Sequence, residues 1–454
     1  MSDQPASSRR PARGGDDVHV PFIVASLLLG TFGGFTLAVS LPIEVLAGSL
    51  DRSWVAHAQV HGHLQAVGFA GLFVLGMGLR LAPHFARNEF AFQGLVRPSF
   101  ILVVAGLLAR ALGQPLAEYP PFAVLLVAGA AAELIGALGF FTIFTATLGP
   151  GVRGLQPPAL LLWFATFWFA VQAAFGAWWL ITLAADGETI LSAAENHALI
   201  NMQVFGMVLS AILGVGMRTF PTFFGMPAPK QGAAVTGALL LATGVAAWTV
   251  GTVIDQPPLE NGGIALLGVT ILGAVVIFGA GGWRHRMAPA SRNFVWALRP
   301  VLLWLGFVGL TLLLAGIRGL ASGDAPSATG LDAIRHMFTV GVITLAIVAM
   351  AQLMLPEFAS ERIAHPPSQW RGPAFGAALS LAALLRGALP WADIGDGTEY
   401  YRMMAVAGTI ALLAVAAFAF LFLRARRRHV AYVANLSALR SRGASLTMSE
   451  PRSG

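Results

Sequence analysis

Apolar runs of about twenty residues recur along this chain of 454 residues, and no other feature restricts its fold as strongly. A helix of that length crosses roughly 30 Å of hydrocarbon. Inside lipid every backbone N–H and C=O must be bonded within the protein, which leaves helices or a closed barrel. The runs are too long for barrel strands and do not alternate with period two, so they read as helices. Only 11% of the residues are charged, against about 25% in a soluble domain, so water is not the main solvent here. The expected fold is an all-α polytopic membrane protein. Its twelve spans lie at about 20–48, 57–79, 98–114, 121–148, 158–184, 196–217, 233–254, 262–282, 299–320, 333–355, 373–391 and 402–424.

The connecting loops alternate in charge. One set carries Arg80, Arg87, Arg97, Arg153, Arg218, Lys230, Arg284, Arg286, Arg292, Arg299, Arg362 and Arg371. The other carries Asp51, Glu118, Asp186, Glu188, Asp255, Glu260, Asp324, Asp332, Asp393, Asp396 and Glu399. Lys and Arg stay on the cytoplasmic side, so both termini are expected there, in a cell inner membrane. Residues 1–18 read as a polar cytoplasmic tail, 19–424 as one membrane domain, and 425–454 as a basic, disordered tail. The net charge of +7 follows this topology, and lipid rather than nucleic acid is the expected contact. There is no Cys, which excludes disulfides, thiolate metal sites and iron–sulfur clusters.

A threefold repetition runs through the chain. Gly68, Gly206 and Gly341 are each followed fifteen residues later by Pro and two further on by Phe: Pro83-His84-Phe85, Pro221-Thr222-Phe223 and Pro356-Glu357-Phe358. Five residues before each Gly stands His63, Asn201 or His336. The copies are 138 and then 135 positions apart, giving units of about 19–150, 151–285 and 286–424. Three four-helix units imply a pseudo-threefold arrangement. Spans two, six and ten then run inward, with the His and Asn positions in the outer half.

Histidine within an apolar helix is costly and marks a candidate site. His57 and His61 are four apart and share a helix face, whereas His61 and His63 point to different neighbours. Gly62 between them leaves room for a flat group. Span six adds His197 and Asn201, and span ten adds Arg335 and His336. Gln65 and Gln203 match in the repeat and suit hydrogen bonds to a cofactor. Imidazoles from two helices at one depth suit an axially ligated haem or copper. His57, at the helix mouth, reads as an interfacial residue. Arg335 has two readings, a propionate or anion partner and a plain anchor. Arg80 and Arg218 read as snorkelling anchors, and the Gly76–Gly78 and Gly214–Gly216 pairs as helix packing. Glu133 is the acidic residue deepest in an apolar span, with no partner legible from sequence.

His61-Gly62-His63-Leu64-Gln65, the Gly-rich helix ending Arg80-x-x-Pro83-x-Phe85, and Arg335-His336 followed by Gly341 resemble the NnrS family. The resemblance implies a twelve-helix protein carrying haem b and copper, tied to nitric oxide stress and denitrification. The layout is also similar to the catalytic subunit of haem-copper oxidases and nitric oxide reductases. By that likeness His63 and His336 are axial to a b-type haem, His61 competes with His63, and His197 is the copper candidate. The chain departs from the oxidase pattern: 233–254 holds no His, and span ten holds only His336. Two other readings stand beside this one. One is a secondary transporter with a His- and Asn-lined cavity, although transporters usually carry two repeats. The other is a divergent oxidase-like redox subunit with an electron-donating partner.

Overall fold

The structure, a computed structural model, describes residues 17–278, 289–364, 369–391 and 397–447. Expectations for residues 1–16, Arg284, Arg286, Asp393 and Asp396 lie outside the described residues. Among the described residues twelve helices are long and apolar enough to cross a membrane. They are α1 Val20–Leu46, α2 Trp54–Ala86, α3 Gln93–Leu116, α4 Pro120–Arg153, α5 Pro157–Asp186, α6 Ala193–Phe224, α7 Gln231–Val253, α8 Pro257–Ile277, α9 Arg292–Ser322, α10 Ala328–Met354, α12 Arg371–Trp391 and α13, which spans from Gly397. A short helix, α11 Pro356–Ala364, lies between α10 and α12. All twelve expected spans are present, several of them longer than the apolar run that announced them.

The helix ends follow local chemistry. Prolines open α4, α5 and α8, where a missing N–H leaves no bond unmade. Ser192 and Glu195 form a reciprocal capping box at the start of α6. The three Pro-x-Phe copies end differently. Pro83 and Pro221 sit inside α2 and α6, which run on to left-handed caps at Arg87 and Gly225. Before Pro356 the chain instead turns extended at Leu355, and Pro356 starts α11. Proline disfavours helical backbone in the residue before it, and only the third copy yields to that.

Burial separates three helices from the rest. The most apolar windows of α2, α6 and α10 are 78%, 83% and 89% buried, while those of the other spans reach at most 67%. The repeated segments therefore form the centre of the bundle. Phe205 of α6 stacks on Phe338 of α10 at 5.0 Å between ring centres.

The basic end of the chain departs from expectation. The tail from 425 is not disordered at its start: α13 continues as one helix from Gly397 to Thr447. Arg and Ala favour helix, and buried carboxylates hold the extension in place. Glu361, 2% exposed, accepts from Arg424 Nε at 3.0 Å and from Arg371 and Arg428 at 3.4 Å. Arg426 bonds Glu357 at 3.1 Å and Asp17 at 2.7 Å, and His19 meets Glu357 at 3.4 Å. This clasp ties the start of α1, α11 and α13 together at the Pro-x-Phe end.

Burial raises the Glu361 carboxyl, but the hydrogen bonds and charges of Arg371 and Arg424 outweigh it and hold it below the ordinary value of 4.5. A depressed carboxylate stabilises the fold above its unfolded value, and that contribution is lost as pH falls through the folded one. Glu361→Gln is expected to lower stability at pH 7 by on the order of 1–3 kcal/mol, since the arginines are partly exposed. Thermal unfolding followed by circular dichroism across pH tests this: the deficit narrows once the pH falls below 4.5.

Candidate functional site at the histidine end of the central helices

The three central helices share a backbone device. A π-helical segment begins at Leu64, Met202 and Met337, one residue after His63, Asn201 and His336. A π turn widens the helix and re-aims the side chains on either side of it. The repeated glycines lie within these segments. A Cβ on Gly206 would stand 2.7 Å from Trp168 Cγ, and one on Gly341 2.6 Å from Trp304 Cγ. In two copies, then, the glycine admits an indole from the preceding helix. Gly68 faces Leu29 at an ordinary 3.5 Å.

His63 is 3% exposed and has both ring nitrogens engaged. Nε2 lies 2.9 Å from Glu133 Oε2 on α4, and Nδ1 lies 3.0 Å from Gln203 Nε2 on α6. Gln203 also donates to Gln172 Oε1 at 2.8 Å, and Gln172 donates to Glu133 Oε1 at 3.2 Å, closing a ring of four side chains. The amide can only donate to Nδ1, so the proton of a neutral His63 sits on Nε2 and faces the carboxylate. Arg110 lies within electrostatic reach of both Glu133 and His63. Its Nε donates to Gln114 at 3.0 Å, Gln114 donates to Gln59 at 2.7 Å, and Gln59 donates to the Leu191 carbonyl at 2.8 Å. A continuous set of buried polar groups thus joins α2, α3, α4, α5 and α6 to the loop before α6.

His61 turns the other way, toward α10. Its ring and that of His336 are parallel to within 7°, with centres 6.5 Å apart. His61 Nδ1 lies 2.8 Å from the Gly34 carbonyl, and His336 Nδ1 lies 2.8 Å from the Asp332 carbonyl and 3.2 Å from its carboxylate. Those oxygens only accept, so each Nδ1 carries a proton, and in the neutral ring Nε2 is the nitrogen with the free lone pair. Asp332 is held in turn by Arg386 of α12 at 2.7 Å, and Arg386 reaches Tyr400 at 3.4 Å. Gln65 packs over Gly34, where an added Cβ would stand 2.7 Å from Gln65 Cδ. That packing supports the backbone that holds His61.

Arg335 points from α10 to α6, donating to Asn201 Oδ1 at 2.8 Å, and its guanidinium lies over the Trp248 ring of α7. His197 stands within electrostatic reach of Arg335 and Asp332. His57 bonds only within its own turn, to Ser53. Among the described residues, three potential metal ligands lie within 4.8 Å of one another at Asp17, Glu357 and His429, at the opposite end. Arg426 already pairs with both carboxylates of that cluster. An apolar cavity between the central helices also lies toward the Pro-x-Phe end, lined by Phe73, Met77, Val215, Phe220, Ile347 and Met350 among others.

Compared with family models and with curated proteins, the chain matches none. The functional reading therefore rests on the residues themselves. Sequence reasoning singled out His61, His63, His336, His197, Gln65 and Arg335, but not the groups that orient them: Gln172, Arg110, Gln114, Asp332 and Arg386. Asp332 stands four residues before His336, and that spacing was a usable signal. The others come from distant helices.

Glu133 supplies the negative charge in a buried set that includes Arg110. Glu133→Leu removes it and strands His63 and Gln172, and is expected to destabilise the protein by about 3–5 kcal/mol. Glu133→Gln also removes the charge but keeps one acceptor oxygen for His63 or Gln172, and is expected to cost less. Both variants lose the charge, so equal unfolding midpoints would show that the hydrogen bonding retained by Gln does not matter.

Proposed function

We propose that this chain is a membrane metalloprotein in which His61 and His336 hold one metal between α2 and α10, a haem b iron first and copper second, and that it handles nitric oxide. The observation that carries the reading is the pair of parallel imidazoles 6.5 Å apart. Ligand nitrogens stand about 2.0–2.1 Å from a metal, so two imidazoles on opposite sides of one ion have ring centres roughly 6 Å apart. The donor set fits as well. Metal-bound histidines ordinarily donate the other ring N–H to a carbonyl or carboxylate, and both Nδ1 atoms here do so. Gly62 adds room beside His61, because a Cβ there would meet only Ile200 Cδ1, at 3.9 Å.

The protein's own part is orientation and electrostatics. Gly34 and Asp332 orient the two rings, and Arg386 holds Asp332. When bound, iron or copper supplies a one-electron couple and affinity for diatomic ligands. With both nitrogens of His63 engaged, we assign His63 to positioning α2 against α4 and α6. His197 is our candidate for completing a copper site. α7 brings Trp248 rather than histidine to the junction, so an oxygen-reducing binuclear centre is not part of the proposal. The NnrS-like motif and three equivalent π turns support three four-helix units around a pseudo-threefold axis. The arginine-bearing loops support cytoplasmic Pro-x-Phe ends in an inner membrane.

Absorption spectra and metal analysis of the purified protein, expressed with ample haem, test the reading. We expect a Soret band that His61→Ala and His336→Ala each remove or shift by several nanometres. His84→Ala, remote from the site, is expected to leave the band unchanged, and His63→Ala to retain it. A protein with neither a Soret band nor copper, or a band indifferent to His61→Ala, would sink the proposal.

A further inference from the structure

We infer that the junction of α6, α7 and α10 is a binding site for a small monovalent anion, built by Arg335, Asn201 and Trp248. Arg335 is 6% exposed, while Asn201 and Trp248 are fully buried. Arg335 Nη2 donates to Asn201 Oδ1 at 2.8 Å. That bond sets the amide orientation, because the flipped amide would oppose donor to donor. The Asn201 NH2 group is therefore left pointing away from the guanidinium's donor and has no partner. Arg335 Nε and Trp248 Nε1 have none either. The Arg335 Cζ atom lies 5.8 Å from the centre of the Trp248 ring, so all three groups belong to one small region.

Each unmet group is an N–H donor, and one belongs to a full positive charge. The nearby carboxylates are engaged elsewhere. Asp332 pairs with Arg386 and His336, and Glu260 accepts from Thr252 at 2.9 Å. Among the described residues Arg335 has no ion pair. A buried, unpaired charge costs several kcal/mol, and a water would satisfy hydrogen bonds without neutralising it. An anion does both. The walls are apolar: Phe205 lies 5.2 Å from Trp248 and 5.0 Å from Phe338, ring centre to ring centre. Such walls exclude water and strengthen a charge-assisted bond. The ligand's acceptor comes either from a free ion such as nitrite, chloride or acetate, or from a carboxylate of a bound macrocycle. The inference does not depend on the assignment of His61 and His336.

The test is the unfolding midpoint of detergent-solubilised protein prepared without haem. Sodium nitrite, chloride or acetate replaces the bulky gluconate salt at constant ionic strength. We expect a saturable rise in midpoint. Trp248→Phe keeps the ring and deletes one donor, and is expected to weaken the apparent affinity about tenfold. Arg335→Gln is expected to abolish the response. Trp168→Phe is the control, since the Trp168 indole N–H also lacks a partner but lies against Gly206, and it is expected to change nothing. Haem-loaded protein separates the sources: loss of the response there assigns the site to the macrocycle's carboxylate, and its persistence assigns it to a free anion. A midpoint indifferent to the anion in haem-free protein, or the same response in Trp248→Phe as in the unaltered chain, would overturn the inference.

Discussion

The need to satisfy polar groups where no water can reach them organises the centre of this bundle. Three helices meet there, and each pair is joined by residues at or beside the same repeat position. His63 with Gln203 joins α2 to α6, Arg335 with Asn201 joins α10 to α6, and His61 facing His336 joins α2 to α10. Two of these junctions are direct hydrogen bonds. The third is a pair of parallel imidazole rings with centres 6.5 Å apart. An unpaired polar group in hydrocarbon costs several kcal/mol, so these junctions also hold the register between helices.

The repetition is in the backbone, while the chemistry is in its departures. All three copies loosen into a π segment at the same place. What precedes it differs: a histidine bound to a carboxylate and an amide, an asparagine bound to an arginine, and a histidine oriented by an aspartate. Three like segments with unlike side chains therefore make three different sets of polar contacts. The opposite end of the bundle is treated differently. There arginines of α12 and α13 meet Glu357 and Glu361 near the surface, where partial solvation makes ion pairs weaker but easier to accommodate.

The helices were legible because hydrophobic length is a local property and lipid leaves the backbone few alternatives. The site was legible as a set of residues, but not as a set of pairs. His61 and His63 are two residues apart, and sequence reasoning favoured His63 through its repeat position. Which ring meets α10 depends on how α2 is rotated against its neighbours, since the two lie in regular helix on different faces. Glu133 showed the same limit. Its burial was evident from the apolar run around it, whereas its partners His63 and Gln172 lie 70 and 39 residues away.

By itself, the sequence determined twelve membrane-crossing helices, a threefold repeat, and the confinement of most histidines to the ends of equivalent spans, because each follows from composition and spacing along the chain. Only the tertiary structure decided that His63 is held by Glu133 and Gln203, that the His61 and His336 rings lie parallel, and that Arg335 is buried against Trp248 with no ion pair among the described residues. It also decided that the basic segment after Phe422 continues as helix. These outcomes depend on which helices are neighbours and how each is rotated, and a hydrogen bond or an ion pair extends only about 3–4 Å.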